Sequence, residues 1–259
     1  MRRALAAATL VTAAMLLAAP ALACKDDFDR VIQDEDQQDR LDWKFAQGFN
    51  NRCAVHLRQG DYDRAMQDCN QAVRYDPKSA NAFSNRGFAH VGQGDLDRAI
   101  QDYDEAIRLD PYLTRARLNR AEAFENKSQY ARALADYDEI IRIQAADARA
   151  WNNRCWTRAI VGHLEAALSD CNESLRLNSS SANTLDSRGF ARLKLGDLDR
   201  SIADYDAALQ ISPQLATSLY GRGVAKRKRG DGAGGDADIA AAEAIKPTIA
   251  EEFARYGLR

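Results

Sequence analysis

Cysteine carries the most reactive chemistry in this sequence, and four of the five cysteines stand at repeated positions. Cys53 and Cys155 are 102 residues apart, as are Cys69 and Cys171, while Cys53 and Cys69, like Cys155 and Cys171, are 16 apart. A thiol can pair, bind metal or act as a nucleophile. There is no Cys-x-x-Cys and no Cys/His pair at ligand spacing, so no metal is expected. Pairing is the chemistry left to test. Catalytic motifs are missing: no Gly-Lys dipeptide for a phosphate loop, no Gly-x-Ser-x-Gly, no Ser-x-x-Lys and no His-x-x-x-His. Gly230, Gly232 and Gly235 match a dinucleotide fingerprint by letters. They follow a helical pattern rather than a strand, so a glycine-rich turn is expected there. The expectation is a protein without enzymatic activity and without a cofactor.

What positions these residues is a period. Pro77, Pro111, Pro213 and Pro247 are separated by 34, 102 and 34 residues. The same step of 34 carries Arg52 to Arg86, Arg120, Arg154, Arg188 and Arg222, and Asp68 to Asp102, Asp136, Asp170, Asp204 and Asp238. Each unit reads as two helices. In residues 80–113, Ala82 to Gln93 forms the first, Gly94-Asp95 the turn, and Leu96 to Leu109 the second. Asp95 is placed to cap the second helix and Pro111 to stop it. Leu96, Ile100, Tyr103, Ile107 and Leu109 give that helix its apolar stripe. Arg86 and Asp102 are nearly equidistant from their turn, so the Arg and Asp series read as pairs that stabilise the repeat.

Antiparallel helices place residues level when they are equidistant from the turn. The midpoint of 53 and 69 is Asp61, and that of 155 and 171 is His163, both in expected turns. The spacing therefore predicts disulfides Cys53–Cys69 and Cys155–Cys171, each closing a loop worth roughly 3 kcal/mol. The alternative is four small buried thiols.

A 34-residue helix–turn–helix unit with Phe83, Gly87, Gly94, Ala99, Tyr103, Ala106 and Pro111 at their positions resembles the tetratricopeptide repeat (TPR) family. The resemblance implies an all-α fold, a right-handed α-solenoid of six such units. The expected boundaries are 46–79, 80–113, 114–147, 148–181, 182–215 and 216–249. Residues 24–45 are expected to form an N-terminal capping helix, because Asp27 to Trp43 reads like Asp95 to Pro111 displaced by 68. Residues 250–259 are expected to form a C-terminal cap with Phe253 and Tyr256 turned inward. Three departures are visible, the first being Gly232, Gly234 and Gly235 where repeat six should have helix formers, which weakens its second helix. Arg86 and its equivalents stand where the family often has Leu, and repeats three and four have Ala145 and Ser179 in place of the final Pro.

The resemblance also implies a concave face lined by the first helices. Asn51, Asn85, Asn119 and Asn153 form a ladder there, since a carboxamide both donates to and accepts from a peptide backbone. The ladder resembles the one in the TPR arm of O-linked N-acetylglucosamine transferases. Phe88, Arg115, Arg149, Asn152, Trp156 and Phe190 share that surface by helical spacing, with Phe88, Trp156 and Phe190 as apolar anchors. The alternative is that the asparagines bond only to neighbouring helices. The expected partner is a protein or extended peptide.

The N-terminus adds location. Arg2 and Arg3, an apolar run from Ala4 to Ala19, Pro20 and Ala21-Leu22-Ala23 read as a signal peptide over 1–23. The alternative is a retained membrane anchor. Cleavage would leave a periplasmic or secreted protein with Cys24 first, a candidate for lipidation as in bacterial lipoproteins. Cys24 would otherwise be free or joined to another chain. A net charge of −2 removes the usual reason to expect nucleic-acid binding. Two functions follow: an exported scaffold that binds a segment in its groove, or a lipid-anchored envelope assembly component that works through its convex or end surfaces.

Overall fold

A computed structural model describes residues 19–258, with side chains from residue 37 onward except residue 39. The expected export segment falls largely outside these residues, as does the Cys24 side chain. The described chain is helical throughout and contains no strand. Helix α1 spans Ala19–Arg58 and pairs with α2 (Tyr62–Tyr75). Then come α3 (Ala80–Gly92) with α4 (Leu96–Leu109), and α5 (Thr114–Asn126) with α6 (Tyr130–Ile143). They are followed by α7 (Ala148–Val161) with α8 (Leu164–Leu177), and α9 (Ala182–Leu195) with α10 (Leu198–Ile211). Finally α11 (Ala216–Arg229) pairs with α12 (Gly232–Ile245), and the short α13 (Ile249–Arg255) closes the chain.

The turns explain the regularity. Gly60, Gly94, Gly162, Gly196 and Gly230 all take positive φ, between 72° and 102°. These positions recur at steps of 34, and the step they skip is filled by Ser128, at φ 57°. A left-handed residue ends the first helix, and the next residue starts the second. Asp61, Asp95 and Asp231 do so by accepting a hydrogen bond from the backbone N–H three residues on.

No turn interrupts α1. The capping segment expected over 24–45 is the leading part of one long helix rather than a helix of its own. The reason is local. Trp43 stands where Pro111 stops α4, and no glycine precedes residue 46 at the turn position.

Each pair is held by two devices. The first is a forked ion pair across the unit. Arg86 Nε and Nη2 donate to the two oxygens of Asp102 at 2.8 and 2.6 Å. Arg52–Asp68, Arg120–Asp136, Arg154–Asp170, Arg188–Asp204 and Arg222–Asp238 repeat this geometry. The third nitrogen reaches back to the preceding unit: Arg120 to Asp104, Arg154 to Asp138 and Arg222 to Asp206. One planar guanidinium thus ties three helices, which an ammonium could not do with the same geometry. The Arg and Asp series are structural, as the spacing implies.

The second device fills the space between paired helices. The Tyr103 ring lies on Gly87, where an added Cβ would come within 2.7 Å of the ring; Tyr205 lies on Gly189 in the same way, at 3.0 Å. In the first and fourth units the same two positions hold Cys53–Cys69 and Cys155–Cys171, joined as disulfides with Cα atoms 5.4 Å apart. A disulfide stands where the second, third and fifth units put a tyrosine ring over a small residue and the sixth puts Ile239 over Gly223.

The odd-numbered helices also pack on one another, α1 on α3, α3 on α5, α7 on α9 and α9 on α11. The even-numbered helices show no comparable packing among themselves. The odd set therefore forms the inner, concave layer.

Candidate functional site

The inner face is open in its N-terminal half. A cavity of about 370 Å³ is lined there by Ala54, Leu57, Arg58, Asn85, Phe88, Arg115, Asn119 and Arg149. Five of these, Asn85, Phe88, Arg115, Asn119 and Arg149, are positions singled out in the sequence. Ala54, Leu57 and Arg58 are not; they come from the last turns of α1, and the 34-residue step offers no marker for them because their equivalents differ in type. Asn51 is exposed and lies outside the cavity. Asn152 borders a second, smaller cavity of about 110 Å³ together with Arg149, Asn183 and Thr184.

The asparagines have neighbours as well as solvent. Asn85 is buried, and its Nδ2 donates to Asn50 Oδ1 at 2.8 Å. Asn119 lies close enough to Tyr103, and Asn153 to Tyr137, to pull those phenols back from the rise that burial causes. Neither contact closes a hydrogen bond to the hydroxyl by strict geometry. Asn153 also accepts a long bond of 3.5 Å from Asn152. The ladder therefore has one firm inter-helix bond, at Asn85, and loosely held carboxamides at Asn119 and Asn153.

The C-terminal half of the face is filled by the chain itself. Helix α12 stops before Pro247, and α13 packs on α11 and α12, from where two aromatic rings reach α9 and α7. Phe253 is 1 % exposed and meets Phe190 edge-on, with ring centroids 5.7 Å apart, and Tyr220 at 4.7 Å. Tyr256 stands edge-on to Trp156 at 5.4 Å. Lys194 fastens the seat: its Nζ donates to the carbonyls of Ala159 and Ile160 at the end of α7, and to that of Tyr256. Burial lowers the Lys194 pKa. Phe190, expected as an anchor for a partner, is 1 % exposed and packs in this aromatic cluster. Trp156 is half-buried in the same cluster. Both serve the C-terminal cap in this arrangement, because two aromatic side chains on α13 supply the apolar surface that a partner would have supplied.

Between the two halves lies Glu125, with its carboxylate on the Thr157 hydroxyl. Burial pushes its pKa up to about 7; the Thr157 bond opposes this, and the nearby Glu122 adds to it. Glu122 is itself raised by burial and drawn back by Arg149. Across the α9–α11 junction Ser218 donates to Asp186 at 2.6 Å. Burial raises Asp186 to about 6 against its hydroxyl bonds to Ser218 and Thr217. A carboxylate on a hydroxyl thus joins α5 to α7 and α9 to α11.

Residues 54–124 match a family model for the tetratricopeptide repeat, and residues 189–230 match a second, for the TPR repeat. The chain is a tetratricopeptide repeat protein. No curated protein matches this TPR chain at a significant level. Solved structures do. A TPR protein from Parabacteroides merdae ATCC 43184 aligns with a TM-score of 0.68 at 19 % identity, over 83 % of this chain and 90 % of that one. PilW, a type IV pilus biogenesis factor, aligns with a TM-score of 0.70 at 16 % identity, over 80 % and 98 %. YrrB, a TPR protein with an unusual peptide-binding site, aligns with a TM-score of 0.54 at 18 % identity, over 72 % and 97 %. At these identities the likeness establishes the TPR fold. The TPR period was legible from prolines, arginines and aspartates; the self-occupied groove was not.

Proposed function

We propose that this TPR protein is an exported scaffold without catalytic activity that holds an extended segment of a partner protein in the open half of its groove. The observation that carries the reading is the cavity where Asn85, Asn119, Phe88, Arg115 and Arg149 converge. It offers carboxamides for a main chain and one exposed aromatic ring for a side chain. Partner binding is in keeping with the fold, and PilW and YrrB supply analogies of assembly and of peptide binding rather than a partner.

Export rests on the basic start, apolar run and Ala-x-Ala site at the N-terminus. Two disulfides suit an oxidising compartment. Among the described residues no helix is long and apolar enough to cross a membrane. Lipidation of Cys24 would add an anchor, and membrane partitioning of Cys24→Ser against wild type reads it directly.

The groove is tested by a photo-crosslinking residue placed at Phe88 and, as a control, at Gln101 on the outer helix α4. Phe88 should give partner adducts and Gln101 none. The double variant Asn85→Ala/Asn119→Ala should reduce those adducts while keeping the helical signal. Equal adducts at both positions, or adducts indifferent to the asparagines, would place the partner elsewhere.

A further inference from the structure

Most arginines of this protein have a carboxylate partner, on the ladder or, as at Arg108, Arg142 and Arg176, three residues earlier on the same helix. Those of the ladder are spoken for, each forked on a buried aspartate. Arg58, Arg115 and Arg149 are different. All three are exposed, all three line the open cavity, and among the described residues none forms an ion pair. Arg115 makes one weak bond, at 3.3 Å, to Asn81. No carboxylate lines the cavity. Glu122, exposed on α5 at the repeat position of Phe88, lies outside this lining and feels Arg149. Three guanidiniums converge on a concave surface with two carboxamides and the apolar Ala54, Leu57 and Phe88.

We propose that the occupant of this half-groove is an acidic segment, bound through internal Asp or Glu side chains with an apolar residue between them. The inference rests on the groove reading above and names its partner chemistry. Charge complementarity carries it, because a planar guanidinium matches a carboxylate with two parallel bonds. Spacing agrees. Arg115 and Arg149 sit at one repeat position on α5 and α7, and neighbouring helices lie roughly 8–10 Å apart. An extended chain advances about 3.3 Å per residue with side chains on alternate faces, so acids two residues apart, about 7 Å, share a face and come within reach of both long guanidinium side chains. Low-dielectric walls and a single sign of charge also focus the field and speed capture.

The test uses two short fluorescein-labelled peptides, one alternating Asp and Leu and one alternating Asn and Leu, read by fluorescence anisotropy on the full mature chain. The acidic peptide should bind at least about tenfold more tightly. Raising ionic strength from about 0.05 to about 0.5 M should remove most of that advantage. Arg115→Gln/Arg149→Gln should lose about tenfold for the acidic peptide and little for the neutral one. Arg115→Lys/Arg149→Lys should recover part of the loss, which separates charge from folding. If both peptides bind alike and Asn85→Ala/Asn119→Ala weakens both, the groove stands and the acidic preference is overturned. If the acidic peptide binds and neither set of variants affects it, both readings fall. No binding of either peptide also overturns the acidic preference.

Discussion

Glu125 is held in the inner layer where its charge is disfavoured, and this has a consequence that can be measured. Its folded pKa is about 7 against an ordinary value of 4.5, chiefly through burial. A raised carboxyl destabilises the fold wherever it is ionised, so the penalty is full above pH 7. As pH falls from about 8 towards 5 the native state takes up a proton that the unfolded chain does not, and stability rises. Asp186, at about 6, adds to the same trend lower in the range. Asp238 works the other way: Arg222 and Lys226 hold it below the usual range against the desolvation that would raise it, so its contribution is lost only in stronger acid. Glu125→Gln should therefore be more stable than wild type at pH 8, and the difference should shrink to near nothing by pH 5. Thermal unfolding at the two pH values checks this, and an equal shift at both would refute it. Nothing in the sequence distinguishes Glu125 from a solvated helix acid. Its burial is created by Thr157, 32 residues later, and by the chain packed around it. A period of 34 reports equivalence between units, not contacts made across one junction.

Helix pairs show the opposite case, in which spacing was enough. Equidistance from the turn located both cysteine pairs and the six arginine–aspartate pairs. What spacing left unsaid is why cysteines occur in only two units. The core between paired helices is filled either by a large side chain over a small residue or by two short side chains joined to each other. Gly87/Tyr103, Ala121/Tyr137, Gly189/Tyr205 and, with isoleucine for the ring, Gly223/Ile239 take the first solution, Cys53/Cys69 and Cys155/Cys171 the second. The two solutions should be exchangeable. Cys53→Ser/Cys69→Ser should lose about 3 kcal/mol, the entropy of a loop of this size together with the packing left behind. Cys53→Gly/Cys69→Tyr should lose distinctly less, because the tyrosine restores buried apolar area at a site shaped like its neighbours. Urea denaturation of the three proteins decides it. Equal losses for both double variants would mean that the units are not interchangeable at this level, and four alkylatable thiols in the native protein would remove the disulfides altogether.

For the molecule as a whole, the solenoid fold followed from the period, but the state of its groove did not. Residues 250–259 read as the start of another first helix, which would stack at the end of the array. α13 does pack on α11 and α12 with Phe253 and Tyr256 turned inward, and those two rings reach further along the inner face, to Phe190 of α9 and Trp156 of α7. Whether the groove is half-length or full-length then depends on seven helical residues. Stacked arrays are stabilised between neighbours, so loosening one end should leave the other intact. Phe253→Ala/Tyr256→Ala removes the two rings that seat the tail and should cost several kcal/mol locally. In a background with Trp43→Phe and Trp151→Phe, Trp156 is the sole tryptophan, and its quenching by acrylamide should rise as the cluster opens. Hydrogen exchange should quicken in α9, α11 and α13 and stay unchanged in α2, α3 and α4. A partner with its own aromatic pair could then occupy the vacated seat, extending the bound segment along the inner face past Glu125. Unchanged quenching would show that Trp156 and Phe190 are covered by something other than the tail, and faster exchange throughout would show that the array unfolds as one unit.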